Sequence, residues 1–318
     1  MSLYRHCLLC SRRCGVDREA GIRGYCGETA ALRLAFAGIH RGEEPPITGK
    51  GGSGTIFVSG CNLGCAFCQN YQISQDGIGR AVSNDEFVEI CLALQSKGAE
   101  NINIVTGSHA APALALGIKQ ARKQGLSIPV LWNSSGYDGM DILEILSEFV
   151  DVYLPDLKTL DSVLATRFFN APDYPETATA AILRMMEYQE LCLNQTMLSG
   201  VMIRHLVIPG HLENTRSFLR WFAENCKARA LLSLMTQYTP VQARDGREND
   251  KAEHEATIIP SCYLSKDEYE IVLLMLDEFG IDDGFYQELT IGSEWLPDFT
   301  RPNPFSSGLS VPVWHYIC

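Results

Sequence analysis

The sequence predicts an α/β fold: a partial (β/α)6 barrel of the TIM type, with a cysteine-rich metal-binding segment ahead of it and a C-terminal tail wrapped over it. Three observations carry this. From residue 55, short β-branched apolar runs alternate with longer segments of helical spacing, giving six strand candidates and five intervening helices. Helical crossovers make successive strands parallel. The 318 residues, 46% of them hydrophobic, suffice for one barrel of roughly 200–250 residues with extensions.

Residues 1–50 are rich in Cys, Gly and Arg and show little periodicity, so they are set apart as the metal-binding segment. Residues 51–241 make the barrel. Its strands are expected at Thr55–Ser59, Asn101–Thr106, Pro129–Asn133, Val150–Leu154, Val201–Ile208 and Ala230–Leu234. Its helices are expected at Asn84–Lys97, Pro112–Gln124, Gly139–Phe149, Thr177–Leu193 and Asn214–Lys227. Ser83 or Asn84, and Asn214, have the side chains of N-caps, and Pro112 suits a first helical turn. Residues 242–318 hold a charged surface loop at Gln242–Thr257, a helix at Lys266–Phe279 and a tail packed on the barrel. Trp295, Phe299, Phe305, Trp314 and Tyr316 make that tail too apolar to float free.

The net charge of -12 argues against non-specific nucleic-acid binding. Arg12, Arg13, Arg18 and Arg23 read as a solvated basic face, or one that meets an acidic partner or phosphate. No apolar run is long enough to span a bilayer, and Met1–Cys14 lacks the apolar core of a secretory signal. A cytoplasmic location is the default expectation, which favours metal ligation or reduced thiols over disulfides for the 12 cysteines. Cys91, Cys192 and Cys226 fall in helix-like segments and read as core residues; Cys262 and Cys318 have no assigned role.

The run Gly60-Cys61-Asn62-Leu63-Gly64-Cys65-Ala66-Phe67-Cys68 spaces three cysteines as C-x3-C-x2-C directly after the first expected strand. In a chain of this cysteine content the spacing arises by chance with a probability of about 0.02. Zinc wants four ligands, and no fourth Cys or His follows within about twenty residues. Three thiolates can instead hold three irons of a 4Fe-4S cubane and leave the fourth open. Gly64 permits a sharp turn, and a loop at a strand's carboxyl end is where barrel folds keep their sites.

A second set, Cys7, Cys10, Cys14 and Cys26, reads C-x2-C-x3-C-x11-C. Four thiolates in one short stretch suit a closed zinc site or a fully ligated second iron–sulfur cluster, and the residues do not decide between them. Metal binding would fold a segment with so few apolar residues. His6 is an alternate ligand.

The C-x3-C-x2-C loop resembles that of radical S-adenosylmethionine (radical SAM) enzymes. With the N-terminal cysteines, the run Asp156-Leu157-Lys158 and the run Arg204-His205-Leu206-Val207-Ile208-Pro209-Gly210, the chain resembles pyruvate formate-lyase activating enzymes, within an activase-related branch. The resemblance covers nearly the whole chain and extends to the tail runs Glu294–Phe299 and Trp314–Tyr316. It implies a 4Fe-4S cluster on Cys61, Cys65 and Cys68, with S-adenosylmethionine on the open iron. It implies Phe67 against the adenine, Lys158 at the methionine carboxylate with Asp156 as its polar neighbour, and Arg204, Val207 and Ile208 as further cofactor contacts. Asn133, Ser134 and Ser135 end a strand with amide and hydroxyl groups that suit the ribose, although Asn-Ser-Ser-Gly is also ordinary turn chemistry. The family's acidic ligand for the S-adenosylmethionine ammonium is missing from Val105-Thr106-Gly107-Ser108-His109. Thr106 and Ser108 oxygens, or backbone carbonyls, are expected in its place, with His109 as an active-site group and His205 as a core histidine.

The resemblance implies reductive cleavage of S-adenosylmethionine to a 5'-deoxyadenosyl radical that abstracts hydrogen, with activation of a glycyl radical enzyme as its narrower form. A low-potential electron donor, flavodoxin or ferredoxin, and a protein substrate are the implied partners, with no membrane and no nucleic acid. The alternative is an iron–sulfur electron-transfer or metal-binding regulatory protein without S-adenosylmethionine chemistry, for which the missing acid speaks. A structural zinc protein is the third reading.

Overall fold

The computed structural model describes residues 2–194, 196–241, 259–293, 296–306 and 308–317. The charged loop Gln242–Thr257, Glu294, Trp295 and Cys318 lie outside them. The strands are β1 Arg33–His40, β2 Ser53–Val58, β3 Arg80–Ala81, β4 Ile102–Val105, β5 Val130–Ser134, β6 Val152–Pro155, β7 Cys192–Leu193, β8 Met197–Leu206, β9 Leu231–Met235, β10 Gly284–Tyr286 and β11 Ser310–His315. The α-helices are α1 Pro45–Thr48, α2 Tyr71–Ser74, α3 Asn84–Ser96, α4 Ala111–Lys123, α5 Met140–Leu146, α6 Ser162–Phe169, α7 Tyr174–Tyr188, α8 Leu212–Asn225 and α9 Lys266–Glu278.

The sheet runs β10-β9-β8-β6-β5-β4-β2-β1-β11. From β2 to β10 every pairing is parallel, and the order follows the chain without reversal. One-way winding puts all crossover helices on one face, so the sheet curls as in a barrel; here it stays open. The alternation along each strand agrees. Ile56, Ile104, Trp132, Tyr153, Ile203 and Leu232 face the helices in the largest core cluster. Phe57 and Val105, and separately Leu131, Leu154 and Met202, belong to other clusters on the concave face.

All six expected strands form, within two or three residues of their expected ends, except that β8 begins earlier at Met197. The differences lie elsewhere. A seventh parallel strand, β10, joins beside β9. At the other edge, β1 pairs antiparallel with β2 and β11 pairs antiparallel with β1. The cysteine-rich segment therefore ends in a buried strand, and the tail adds a strand to the sheet as well as covering it. The short helix α6 was not expected. The helix expected to reach Leu193 stops at Tyr188, and Cys192 is exposed rather than a core residue. Cys91 and Cys226 are buried as expected.

Ser83 caps α3 by accepting from the Glu86 amide at 3.1 Å. Asn214 is no cap: α8 begins at Leu212, and the Asn214 amide reaches the Lys158 carbonyl at 2.9 Å. Phe299 and Phe305 from the tail pack on Phe57 with ring centroids 5.3 and 5.4 Å away, closing the concave face beside β2.

Candidate active site

The cysteine loop leaves the carboxyl end of β2 through Gly60, whose φ is 82°. A Cβ there would stand 2.5 Å from Glu28 Cγ and 2.7 Å from the Cys26 carbonyl oxygen, so only glycine fits. Gly64, φ 70°, makes the turn between the first two cysteines. Arg12 fixes the loop from outside. Its guanidinium donates to the carbonyls of Asn62 (2.9 Å), Leu63 (3.1 Å), Phe169 (2.8 Å) and Asn170 (2.5 Å), and lies 3.8 Å above the Tyr25 ring. Arg12 is thus a clamp rather than part of a solvated face.

Cys65 is buried, and Cys61 and Cys68 are half-buried. The three thiols lie near enough that Cys61 and Cys68 both bear on the Cys65 proton equilibrium. The Leu63 amide donates to Cys61 Sγ at 3.3 Å, and Ser74 Oγ lies 3.3 Å from Cys68 Sγ. Burial raises the Cys65 thiol well above the ordinary thiol range and raises that of Cys68 as well, with Lys158 opposing at both. Among the described residues, no three or more His, Cys, Asp or Glu side chains are gathered as round a single metal ion. A cubane spreads its thiolates over separate irons, so this donor set fits a cluster; a single-ion zinc site draws no support.

The wall facing the loop comes from β6 and α7. Lys158 Nζ donates to Asp156 Oδ2 at 2.6 Å, with 15% and 21% of these side chains exposed. Burial would lower the Lys158 ammonium; Asp156, then Cys65, outweigh it and hold the lysine above its usual range. Tyr174 braces this wall. Its hydroxyl accepts from the Lys158 amide at 2.9 Å and sits 2.9 Å from the carbonyls of Ser135 and Asp156. The structure therefore brings Cys65, Cys68, Asp156 and Lys158 together.

The remaining expected residues divide. Asn133 is half-buried and pairs in register with Val105 and Leu154 on the concave face. Thr106, the residue after β4, has φ 61°, a left-handed conformation that is costly for a β-branched residue. Phe67 is buried among Phe168, Phe169 and Tyr238, at ring centroids 5.4, 5.9 and 6.2 Å. Ser108 is occupied: its hydroxyl donates at 2.5 Å to Asp138, a carboxylate that also accepts from Ser134 and Trp132. Burial raises the Asp138 carboxyl. Ser134 is likewise taken up. Arg204 lies on the concave face in a closed charge network. It donates at 2.5 Å to Glu43 and Glu44, and Ser233 donates to Glu44 at 2.6 Å. Burial would raise Glu44; Arg204 beside it holds it below the usual carboxylate range. The expectation that Ser108 and Arg204 contact the cofactor finds their polar groups already spent inside the protein. Val207 and Ile208 are buried in the core.

His109 is buried, with Nε2 2.8 Å from the Ser59 carbonyl. The N-terminal thiols form a nest. Cys7, Cys10 and Cys26 are buried and Cys14 is half-buried. The position of a Cβ on Gly24 would be 3.5 Å from Cys14 Sγ and 3.8 Å from Cys26 Sγ. Burial pushes Cys10 up to about 12 and Cys26 to about 11. His6 is not among the thiols' donors; its Nδ1 lies 3.0 Å from the Gly15 carbonyl. Arg12, Tyr174 and Tyr238 carry no sequence signal of their own, since each acts through partners distant in the chain.

A singly wound parallel sheet with a cysteine loop at the carboxyl end of its first parallel strand defines a partial-barrel protein whose site lies at the strand ends. The chain belongs to the radical SAM superfamily: the family's model matches residues 55–221, just over half of it. Membership implies a 4Fe-4S cluster and S-adenosylmethionine as cofactors. An uncharacterized protein of Methanocaldococcus jannaschii is 29% identical over 246 residues, covering 75% of this chain and 68% of its own. Among solved structures, Streptococcus suis SuiB bound to S-adenosylmethionine is similar at TM-score 0.48 and 14% identity, over 72% of this chain and 48% of its own. A domain of pyruvate-formate lyase-activating enzyme from Bacteroides vulgatus is similar at TM-score 0.38 and 16% identity, over 56% of this chain and 91% of its own. The chain thus spans about half the length of SuiB. Among the described residues no helix is long and apolar enough to cross a membrane.

Proposed function

We propose that the chain is a radical SAM enzyme in which Cys61, Cys65 and Cys68 hold the cluster, and Lys158, oriented by Asp156, receives the methionine carboxylate. The observation that carries this is the convergence of the Lys158–Asp156 pair, 2.6 Å apart, on the buried Cys65 thiol. When bound, cluster and S-adenosylmethionine supply a one-electron cleavage of a carbon–sulfur bond that yields a 5'-deoxyadenosyl radical. The protein's part is to bind, orient and shield. The lysine stays cationic because its carboxylate partner outweighs the cost of burial. Thr106 offers its hydroxyl or its carbonyl to the ammonium in place of the missing acid, and its strained backbone marks that strand end as a site. Asn133 is the ribose ligand, with Ser135 beside it, and Phe67 the wall for the adenine. Hydrogen abstraction from a glycine of a partner protein is the narrower reading, and it rests on the Asp156-Leu157-Lys158 and Arg204–Gly210 resemblance.

The absence of an acid after β4 favours the second reading, an iron–sulfur protein without S-adenosylmethionine chemistry. Anaerobic reconstitution separates the two. The wild type is expected to form 5'-deoxyadenosine with dithionite, and a Cys61→Ala, Cys65→Ala, Cys68→Ala variant to lose about four irons and all product. A reducible cluster that yields no deoxyadenosine would overturn the enzyme reading. Iron unchanged in the variant would overturn the ligand assignment.

A further inference from the structure

We infer that the nest of Cys7, Cys10, Cys14 and Cys26 is the electron-entry site of the protein, holding a second iron–sulfur cluster that passes single electrons to the centre at Cys61, Cys65 and Cys68. This deepens the proposed function and rests on its cluster assignment.

Two bridges join the nest to the loop. The Cys61 amide donates directly to the Cys26 carbonyl at 3.4 Å, so one peptide hydrogen bond separates a cysteine of one set from a cysteine of the other. Gly60 makes that approach possible, because a Cβ would stand 2.7 Å from the same carbonyl oxygen. The second bridge runs through Arg18. Its guanidinium reaches Cys7 Sγ at 3.6 Å and the His109 carbonyl at 2.7 Å, and His109 in turn reaches the carbonyl of Ser59, two residues before Cys61. A structural zinc knot has no need to be wired to a neighbouring redox loop in this way.

Arg18 adds a charge argument. It is 2% exposed, and its hydrogen-bond acceptors are the carbonyls of Glu28, Thr29 and His109 and the Cys7 sulfur. Its hydrogen bonds include no carboxylate; the buried Glu28 carboxylate feels the Arg18 charge but hydrogen-bonds Arg33 at 2.8 Å, so its one negative charge is shared between guanidiniums. A buried guanidinium needs a countercharge. A centre ligated by four thiolates is anionic and supplies one, and the Arg18 and Tyr25 N–H groups aimed at Cys7 and Cys14 sulfurs are the contacts that tune cluster potentials. The outer rim also suits the task. Arg13 and Arg23 are exposed there, in a chain of net charge -12. That is an approach surface for an acidic carrier.

The transfer moves one electron and no atom. A reduced low-potential flavin or iron–sulfur carrier loses it, the nest relays it, and the centre at Cys61, Cys65 and Cys68 gains it.

The full chain, reconstituted anaerobically, tests this. Metal analysis of the wild type is expected to give about eight irons and no zinc, and the fully reduced protein to show two paramagnetic signals broadened by mutual coupling. Cys14→Ser is expected to drop to about four irons and lose the broadening. Rapid-freeze electron paramagnetic resonance then follows reduction of the remaining cluster, independently of any S-adenosylmethionine cleavage. The ratio of its reduction rate by flavodoxin to that by dithionite is expected to fall at least about tenfold. Arg18→Lys, which keeps the charge but not the fork, is expected to keep its iron and shift the nest's reduction midpoint. About four irons with one zinc in the wild type, two signals without coupling, or an unchanged rate ratio would each overturn the relay. Failure to form deoxyadenosine with both clusters reducible would sink the enzyme reading and leave the relay standing.

Discussion

At Lys158 the site depends on one charge held by another. Asp156 accepts from its ammonium at 2.6 Å, and Tyr174 and Asn214 fix the backbone on either side. Lys158→Met is therefore expected to weaken S-adenosylmethionine binding at least about tenfold, the worth of one charge-assisted hydrogen bond. Calorimetry beside an iron assay checks this, and unaltered affinity would remove Lys158 from the cofactor site. Thr106 holds φ at 61°, where its branched side chain costs on the order of 1–3 kcal/mol. Thr106→Gly should raise thermal stability by about 1 kcal/mol while lowering cofactor affinity; a less stable variant would deny the strain. Spacing singled out Cys61, Cys65 and Cys68, and Lys158 came only from the resemblance of Asp156-Leu157-Lys158 to the activases. Ser108 and Arg204 were not legible as core groups, because what occupies them is distant in sequence. Asp138 lies 30 residues from Ser108, and Glu44 lies 160 from Arg204. A motif names a residue type but not its partner.

Elements with buried β-branched runs could be read directly, because β2, β4, β5, β6, β8 and β9 are largely apolar on both faces. The run Arg33-Leu-Ala-Phe-Ala-Gly-Ile-His40 could not, since Ala and Gly are poor strand formers and only one residue in it is β-branched. Its strand is made by pairing with β2 and β11. Within β8, His205 shows how an element carries a pH signature. It is stacked on Phe218 at 4.2 Å, its Nδ1 lies 2.7 Å from the Leu157 carbonyl, and Nε2 lies 3.1 Å from Thr215 Oγ1. Burial lowers its pKa to about 4, from 6.5. Because the folded value is depressed, the unfolded chain binds the proton first. Stability from this group is whole above pH 6.5 and declines as pH falls toward 4. One site of this kind should leave the protein about 2 kcal/mol less stable at pH 5 than at pH 8. Urea titrations at the two pH values, compared with His205→Gln, measure it. A variant with the same pH slope as the wild type would exclude His205 as the cause.

For the whole molecule, β1 and the C-terminal tail extend one edge of the sheet and steady the site together. β11 completes the edge begun by β1, and this pairing joins residues 270 or more positions apart. No local pattern could announce a partnership of that range. Phe299 is fully buried, against Phe57 and Phe305. Its amide donates to Gln72 Oε1 at 2.7 Å, and Gln72 returns a bond to Asp298 at 3.3 Å. Gln72 belongs to α2, which also carries Ser74 to within 3.3 Å of Cys68 Sγ. The tail thus braces the helix that follows the third cysteine. Phe299→Ala should cost about 3–5 kcal/mol from the lost burial and the cavity left behind. The cost should be local before it is global, because Phe299 sits in an aromatic cluster separate from the main core, while β11 keeps its own hold on β1 and Trp314 on Glu86. Hydrogen exchange is expected to show protection lost first at α2 and residues 296–306, with β4 to β6 unchanged. Iron should also leave the reconstituted variant faster under a chelator than it leaves the wild type. If exchange instead quickened evenly across the sheet, the tail would be one more layer of core. If α2 kept its protection while the tail detached, the bracing of Cys68 by Gln72 would be disproved.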